Sequence, residues 1–133
     1  VKDALGAVGL TDFAHKAPYL LSGGEKRRLA IGGILAMGAP VIVLDEPFSN
    51  LDYAGVRQVL RQLAELHAAG RTIIVATHDL EKVLALADRL LVLAAGRLVV
   101  DGDPRAAARQ VERYGVREPH WSRGGTAAVS WLN

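Results

Sequence analysis

The chain has 133 residues, half of them hydrophobic, which is enough for one domain with a modest apolar core. Its net charge of +2 arises from acidic and basic residues mixed along the sequence, which argues against a nucleic-acid groove built on bulk electrostatics. Without cysteine it cannot form a disulfide framework or a thiolate zinc site, and its longest apolar runs, such as residues 90–95, are too short to span a membrane.

The first predicted elements are two helices joined by a linker. Apolar residues recur at helical spacing in residues 2–8, which predicts a short helix. After the linker, Ser22 and Glu25 form an S-x-x-E pattern that is typical of a capped helix N-terminus. The apolar segment that follows predicts a long helix ending at about Met37. Its basic cluster, residues 26–28, is interpreted as a solvated helix face.

Three apolar runs predict short strands, and helical patterns separate them. The strands are predicted at residues 41–44, 71–76 and 89–93. The helices between them are predicted at residues 53–69 and 80–87. The first run is continuous and bounded by a turn and two acids, which is typical of a strand buried on both faces. Asp79 is the candidate N-cap of the second helix.

The last part of the chain predicts a hairpin, a helix and a tail. Residues 97–100 follow a tight turn and are expected to pair with the third strand. A last helix is predicted from Asp103 and Pro104 through Glu112. From Tyr114 onward the apolar residues show neither helical nor strand periodicity, so a poorly ordered tail is expected. The alternation of strands and helices predicts an α/β fold with a parallel sheet, right-handed crossovers and a small antiparallel edge.

The S-x-x-E segment has a second interpretation besides helix capping. Ser22 and Glu25 alone predict only a helix start, because any well-capped helix uses this pair. Gly23 and Gly24, however, leave the backbone amides bare at the helix N-terminus. There the positive end of the helix dipole and the Ser22 hydroxyl could bind a phosphate. The residues alone leave both interpretations open.

Asp45 and Glu46 follow the first predicted strand directly. In open α/β sheets, ligands bind at the carboxyl ends of the strands. Two adjacent carboxylates are costly to desolvate there unless an opposing charge, such as a divalent cation, compensates them. The alternative is an acid pair that caps the next helix. His78 follows the second strand and is expected at the same sheet edge, although a lone histidine is more often a surface or core residue.

Four motifs together resemble the ATP-binding-cassette (ABC) ATPases. They are Leu-Ser-Gly-Gly-Glu at residues 21–25, the apolar run ending in Asp-Glu-Pro at residues 41–47, Asn-Leu-Asp at residues 50–52 and Thr-His-Asp at residues 77–79. The resemblance covers roughly residues 1–113. It implies an α/β fold of the P-loop NTPase type, a parallel sheet flanked by helices. Because no G-x-x-x-x-G-K-[ST] loop occurs in the sequence, the N-terminal part of that fold is expected to be missing.

The resemblance also divides the chain into three parts. Residues 1–20 correspond to the end of the helical signature subdomain, and residues 21–113 correspond to the C-terminal part of the ATPase core. Residues 114–133 are the tail.

Each motif acquires a role from the resemblance. In the family, the motif that corresponds to residues 21–25, called the signature, binds the γ-phosphate of ATP held by the opposite subunit. That surface corresponds here to Ser22, Gly23, Gly24 and Glu25, with Glu25 in place of the more usual glutamine.

The resemblance also implies roles for three acidic residues and for His78. Asp45 would hold Mg²⁺, Glu46 would orient or deprotonate the attacking water, and His78 would hydrogen-bond the γ-phosphate. Asp52, by itself only part of a polar turn that caps the next helix, would couple the two sites across the dimer interface.

The same motifs occur in transporter, chromosome-maintenance and translation-associated ABC proteins. Pro47 after the acids argues against the chromosome-maintenance class, and residues 49–52 differ from the Asn-His-Leu-Asp usual in the translation-associated class. Residues 87–104 are similar to importer cassettes, and residues 30–37 resemble the energy-coupling-factor importers of the cobalt, nickel and biotin type. The alternatives are a soluble translation-associated protein and an inactive or regulatory half-cassette.

As an importer subunit, the chain is expected to use ATP and Mg²⁺. Its expected partners are a second ABC ATPase subunit and a transmembrane transporter subunit, with no nucleic acid. Its expected place is the cytoplasmic face of the cell membrane, as a peripheral protein.

Overall fold

In the computed structural model, which describes residues 2–120, the chain forms two units. The first ends at Ala76 and the second begins at Thr77. None of the helices within the described range is long and apolar enough to cross a membrane. The described part of the N-terminal unit comprises α1 Lys2–Ala7, α2 Gly23–Met37, β1 Val41–Asp45, α3 Tyr53–Ala68 and β2 Thr72–Ala76, with turns of 3-10 helix at Thr11–Phe13 and Pro18–Leu20.

Helix α2 begins at the predicted capping box. The Ser22 hydroxyl accepts a hydrogen bond from the Glu25 N–H at 3.3 Å, and the Glu25 carboxylate accepts one from the Ser22 N–H at 2.7 Å. The helix ends after Met37, because Gly38 has a φ of 65°, in the left-handed region that glycine adopts without a steric penalty. The predicted long helix is confirmed.

Strands β1 and β2 pair in parallel along their whole length, as the sequence predicts. On β1, Ile42 and Leu44 are buried, whereas Val41 and Val43 are 50% and 64% exposed. The expectation that β1 is buried on both faces is therefore wrong for the described residues. No described element covers the face that carries Val41 and Val43.

Helix α3 contributes much of the core of the N-terminal unit. Its buried face consists of Val56, Val59, Leu60 and Leu63. Two glutamines of α3 also bond to the C-terminal end of α1, where Gln58 Nε2 donates to the Val8 carbonyl at 3.2 Å and Gln62 Nε2 donates to the Ala7 carbonyl at 2.7 Å. Since the last carbonyls of a helix have no partner within the helix, these bonds both satisfy them and fasten α1 to α3.

Gly9 lies beside Gln58 in a conformation that favours glycine. Its φ is 63°, and a Cβ atom at this position would lie 2.5 Å from Gln58 Nε2. We expect Gly9→Ala to lower the free energy of unfolding by about 1–3 kcal/mol, because the backbone is strained and the Gln58 bond is displaced. Urea unfolding measures this change.

Gly33→Ala is the matched control for Gly9→Ala. Gly33 lies in α2, and a Cβ atom there meets nothing within 4 Å. Alanine is also the better helix former by about 1 kcal/mol. Equal stability of the two variants would contradict the strain assigned to Gly9.

The described part of the C-terminal unit comprises α4 Leu80–Val83, β3 Leu90–Ala94, β4 Arg97–Gly102 and α5 Pro104–Ala108, with turns of 3-10 helix at Leu84–Leu86 and Val111–Tyr114. Strands β3 and β4 form the predicted antiparallel hairpin. Beside it, the Arg89 guanidinium donates to both carboxylate oxygens of Asp101 at 2.7 Å and lowers the pKa of Asp101. The core of this unit consists of Leu80, Leu84, Leu90, Val92, Ala107, Ala108 and Val111.

Two helices of this unit are shorter than predicted. The segment at residues 80–87 is α-helical only to Val83, and the helix predicted to reach Glu112 ends at Ala108. Asp79 precedes α4 but does not cap it, since its carboxylate lies 2.6 Å from Lys82 Nζ instead. Segments this short make few intrahelical hydrogen bonds, so tertiary packing decides where they end.

The predicted tail lies only partly within the described residues. Pro119 is buried, and the N–H of His120 donates to the Glu81 carboxylate at 3.0 Å. Residues 121–133 lie outside the described residues. The expected disorder of residues 114–133 therefore stays a prediction.

Candidate active site

Asp45 and Glu46 lie where the two parallel strands end. Asp45 is the last residue of β1 and pairs with Ala76, the last residue of β2. The Glu46 N–H donates to the Ala76 carbonyl at 2.8 Å, so the hydrogen bonding between the two strands continues one residue beyond the end of β1. Asp45 is exposed and Glu46 is partly buried. Both acids thus lie at the carboxyl edge of the strand pair, as the sequence predicts.

The turn after β1 is held by several main-chain contacts. Glu46 has a φ of 43°, in the left-handed region that residues other than glycine rarely adopt. Its carbonyl accepts a hydrogen bond from the Ser49 N–H at 3.2 Å. Pro47 and Phe48, which follow it, are buried. These contacts fix the main chain on both sides of the Glu46 carboxylate.

Arg27 of α2 contacts the same turn. Its Nη2 donates to the carbonyl of Asp45 at 3.0 Å and to the carbonyl of Glu46, and its Nε donates to the carbonyl of Pro47 at 3.2 Å. The interpretation of residues 26–28 as a solvated face is therefore wrong for Arg27. No sequence signal singles it out among three adjacent basic residues, because the direction of each side chain depends on how α2 packs.

The residues from Ser22 to Glu25 form the start of the 15-residue helix α2. The backbone N–H of Ser22, and then its hydroxyl, lower the pKa of the Glu25 carboxyl. Gly23 is exposed, and a Cβ atom there would meet nothing within 4 Å, so the surface around its backbone is open. The capping interpretation is confirmed. Phosphate binding by the positive end of this helix stays a prediction.

Asp52 is the N-cap of α3. Its Oδ1 accepts a hydrogen bond from the Gly55 N–H at 2.8 Å, which is the capping role that a polar turn before a helix predicts. The side chain is otherwise at the surface. The coupling role that the resemblance implies for Asp52 stays a prediction.

His78 belongs to the C-terminal unit and is exposed. The Thr77 hydroxyl accepts a hydrogen bond from the Asp79 N–H at 3.1 Å, which bends the chain around His78 before α4 begins. His78 lines an open cavity together with residues 79–82 and 117–120. Its expected position at the same sheet edge as Glu46 stays a prediction.

The acid pair has the donor chemistry that Mg²⁺ requires. Within residues 2–120, no group of three or more histidine, aspartate or glutamate side chains is arranged to hold a metal ion. Asp45 and Glu46 nevertheless offer carboxylate oxygens, and Mg²⁺ in nucleotide sites takes only one or two carboxylates besides phosphate oxygens and water. Asp45 and Glu46 therefore fit as the carboxylate ligands of a Mg²⁺ site.

The sequence is similar to those of known ABC transporter proteins. The ABC transporter family model matches residues 1–49. The energy-coupling factor transporter ATP-binding protein EcfA2 of Methanospirillum hungatei is 49% identical over 107 residues, which are 80% of this chain and 27% of that protein. The cobalt import ATP-binding protein CbiO of Rhodobacter capsulatus is 45% identical over 122 residues, which are 90% of this chain and 44% of that protein. The chain thus spans less than half the length of these two relatives.

A solved structure extends the likeness to the fold. CbiO1 from Clostridium perfringens, described as part of the ABC transporter complex CbiONQ, matches with a TM-score of 0.70 and 34% sequence identity. The match covers 93% of this chain and 51% of that structure.

Proposed function

The chain belongs to the family of ABC transporter ATP-binding proteins, and from this premise we propose that it is part of the ATP-hydrolysing subunit of an importer. The proposed class is the energy-coupling-factor importer, since relatives at 49% and 45% identity are named for such a transporter and for cobalt import. One observation carries the proposal: the acid pair Asp45 and Glu46 stands at the carboxyl edge of a parallel strand pair, in contact with α2 through Arg27.

In the proposed reaction, Glu46 orients and deprotonates the water that attacks the γ-phosphate of ATP. Its main chain is held by Ala76 and Arg27, which suits a general base that must keep its carboxylate in one place. Asp45 is the residue that would hold Mg²⁺, which supplies charge neutralisation for the phosphates when bound. His78 donates a hydrogen bond to the γ-phosphate and so orients it.

The proposed subunit works as a dimer that closes on ATP. Ser22 and the amides of Gly23 and Gly24 bind the γ-phosphate held by the partner subunit, at the positive end of the α2 dipole. Glu25 belongs to the same surface, and its carboxylate accepts a hydrogen bond from the Ser22 N–H. Asp52 couples the two sites. Closing of the dimer moves a transmembrane partner, and the subunit therefore lies at the cytoplasmic face of the membrane.

The phosphate cradle of this subunit comes from outside these 133 residues. ATP hydrolysis needs backbone amides and a lysine around the β- and γ-phosphates, and the sequence contains no G-x-x-x-x-G-K-[ST] loop. We expect the reading frame upstream of Val1 to encode that loop. An uninterrupted upstream frame without it would favour an inactive half-cassette.

Affinity purification of the complete protein tests the transporter class. We expect the tagged protein to co-purify from solubilised membranes with a transmembrane coupling subunit and a small substrate-binding membrane protein. A tagged soluble enzyme from the same cells controls for unspecific capture. Co-purification with ribosomes, with an exporter or with an importer that uses a periplasmic binding protein would contradict the proposal.

A further inference from the structure

The main chain at Glu46 is bonded on both of its polar sides. Its N–H donates to the carbonyl of Ala76 at the end of β2, and its carbonyl accepts from Ser49 and from the guanidinium of Arg27. Because the residue has a positive φ of 43°, this conformation is costly for a side chain with a Cβ atom. Such a conformation persists only where the surroundings determine it from several directions.

Arg27 contacts this turn from α2, outside the strand pair. It lies in the second turn of α2 and reaches three successive carbonyls, those of Asp45, Glu46 and Pro47. A guanidinium suits this task, since it is planar and presents five donors in a fixed fork. A lysine would place a single ammonium there and could not keep the same three bonds in one geometry.

We propose that Arg27 is a positioning residue for Glu46. It holds the turn after β1 in the strained conformation and thereby aims the Glu46 carboxylate at the attacking water. The inference rests on the proposed function, because it takes Glu46 as the general base. Arg27 does not itself touch the substrate, so its removal affects the rate of the chemical step more than the binding of ATP.

Arg27→Ala in the complete protein tests this role. We expect kcat for ATP hydrolysis to fall about 10- to 100-fold, since a misplacement of about 1 Å in a reacting group costs as much. The KM for ATP is expected to stay within about twofold of wild type, because the binding contacts remain. Arg61→Ala is the matched control, since Arg61 is an exposed arginine on α3. A wild-type kcat in Arg27→Ala would overturn the proposal.

A double-variant comparison separates positioning from a merely structural role. If Arg27 acts through the Glu46 carboxylate, Arg27→Ala should cost nothing further in a Glu46→Gln background. A double variant whose loss in kcat equals the product of the two single-variant losses would overturn the proposal. Where Arg27→Ala does not fold, Arg27→Lys serves instead: a lowered kcat at unchanged KM and melting temperature supports positioning, and a wild-type kcat contradicts it.

The same measurements distinguish failure of the inference from failure of the proposed function. Wild-type turnover in Glu46→Gln alone would remove the general base and, with it, the role of Arg27. An inactive Glu46→Gln beside a fully active Arg27→Ala would leave the proposed function intact and overturn the inference alone.

Discussion

Replacing Glu46 by glutamine in the complete protein is expected to stop ATP turnover while leaving ATP binding nearly unchanged. Glutamine keeps the size of the side chain but removes the carboxylate that would take a proton from the attacking water. Loss of a positioned general base commonly costs about 100- to 10,000-fold in rate. The bonds of Glu46 to Ala76 and Ser49 involve only its main chain, so the turn should keep its conformation.

Phosphate release and ATP affinity, measured on the same preparation, check this expectation. Glu65→Gln is the matched control, because Glu65 is an exposed glutamate on α3 that undergoes the same chemical change. Turnover at the wild-type rate in Glu46→Gln would reassign the base. A parallel loss of ATP affinity would instead indicate that Glu46 contributes to binding rather than to the chemical step.

Features that depend on residues close together in the sequence can be predicted from it. The capping box of Ser22 and Glu25 needs only a spacing of three residues, and both of its hydrogen bonds are present. The amphipathic pattern of residues 53–69 gives helix α3 to within one residue, since the observed helix is Tyr53–Ala68. Parallel pairing of β1 and β2 follows from a helix that lies between two apolar strands.

The features that depend on packing between distant segments do not follow from the sequence. Arg27 and Asp45 are 18 positions apart, and Gln58 and Val8 are 50 positions apart. Both contacts satisfy main-chain carbonyls, and since every residue carries a carbonyl, the acceptor gives no sequence signal for its donor. The sequence therefore carries no pattern that would identify Arg27 or Gln58 in advance.

Burial of β1 shows a different limit of sequence reasoning. A continuous apolar run indicates that both faces of a strand avoid water, but it does not say which segment covers them. Ile42 is covered within the N-terminal unit, whereas Val43 is exposed among the described residues. The apolar run thus predicts the strand correctly, but it does not identify the segment that packs against the face of β1 that carries Val43.

A Ser22→Arg substitution is expected to abolish ATP turnover without weakening ATP binding to the single subunit. If the start of α2 binds the γ-phosphate held by the partner, the arginine side chain blocks the one site that it faces, whereas the contacts of each subunit to its own ATP remain. The substitution also removes the Ser22 cap, which costs about 1 kcal/mol, too little to unfold a typical domain. Equal loss of ATP binding and turnover would contradict the assignment to the partner's site.

Mixing two inactive variants tests that assignment directly. In a mixed dimer of Ser22→Arg and Glu46→Gln subunits, one site combines an intact Ser22 with an intact Glu46 from the other subunit. We expect recovery to about a quarter of the wild-type rate, since half of the dimers are mixed and each has one intact site. A double variant mixed with Ser22→Arg has no intact site and should stay inactive. Recovery in the first mixture alone would place the two residues on opposite subunits of one site, and no recovery in either would contradict that arrangement.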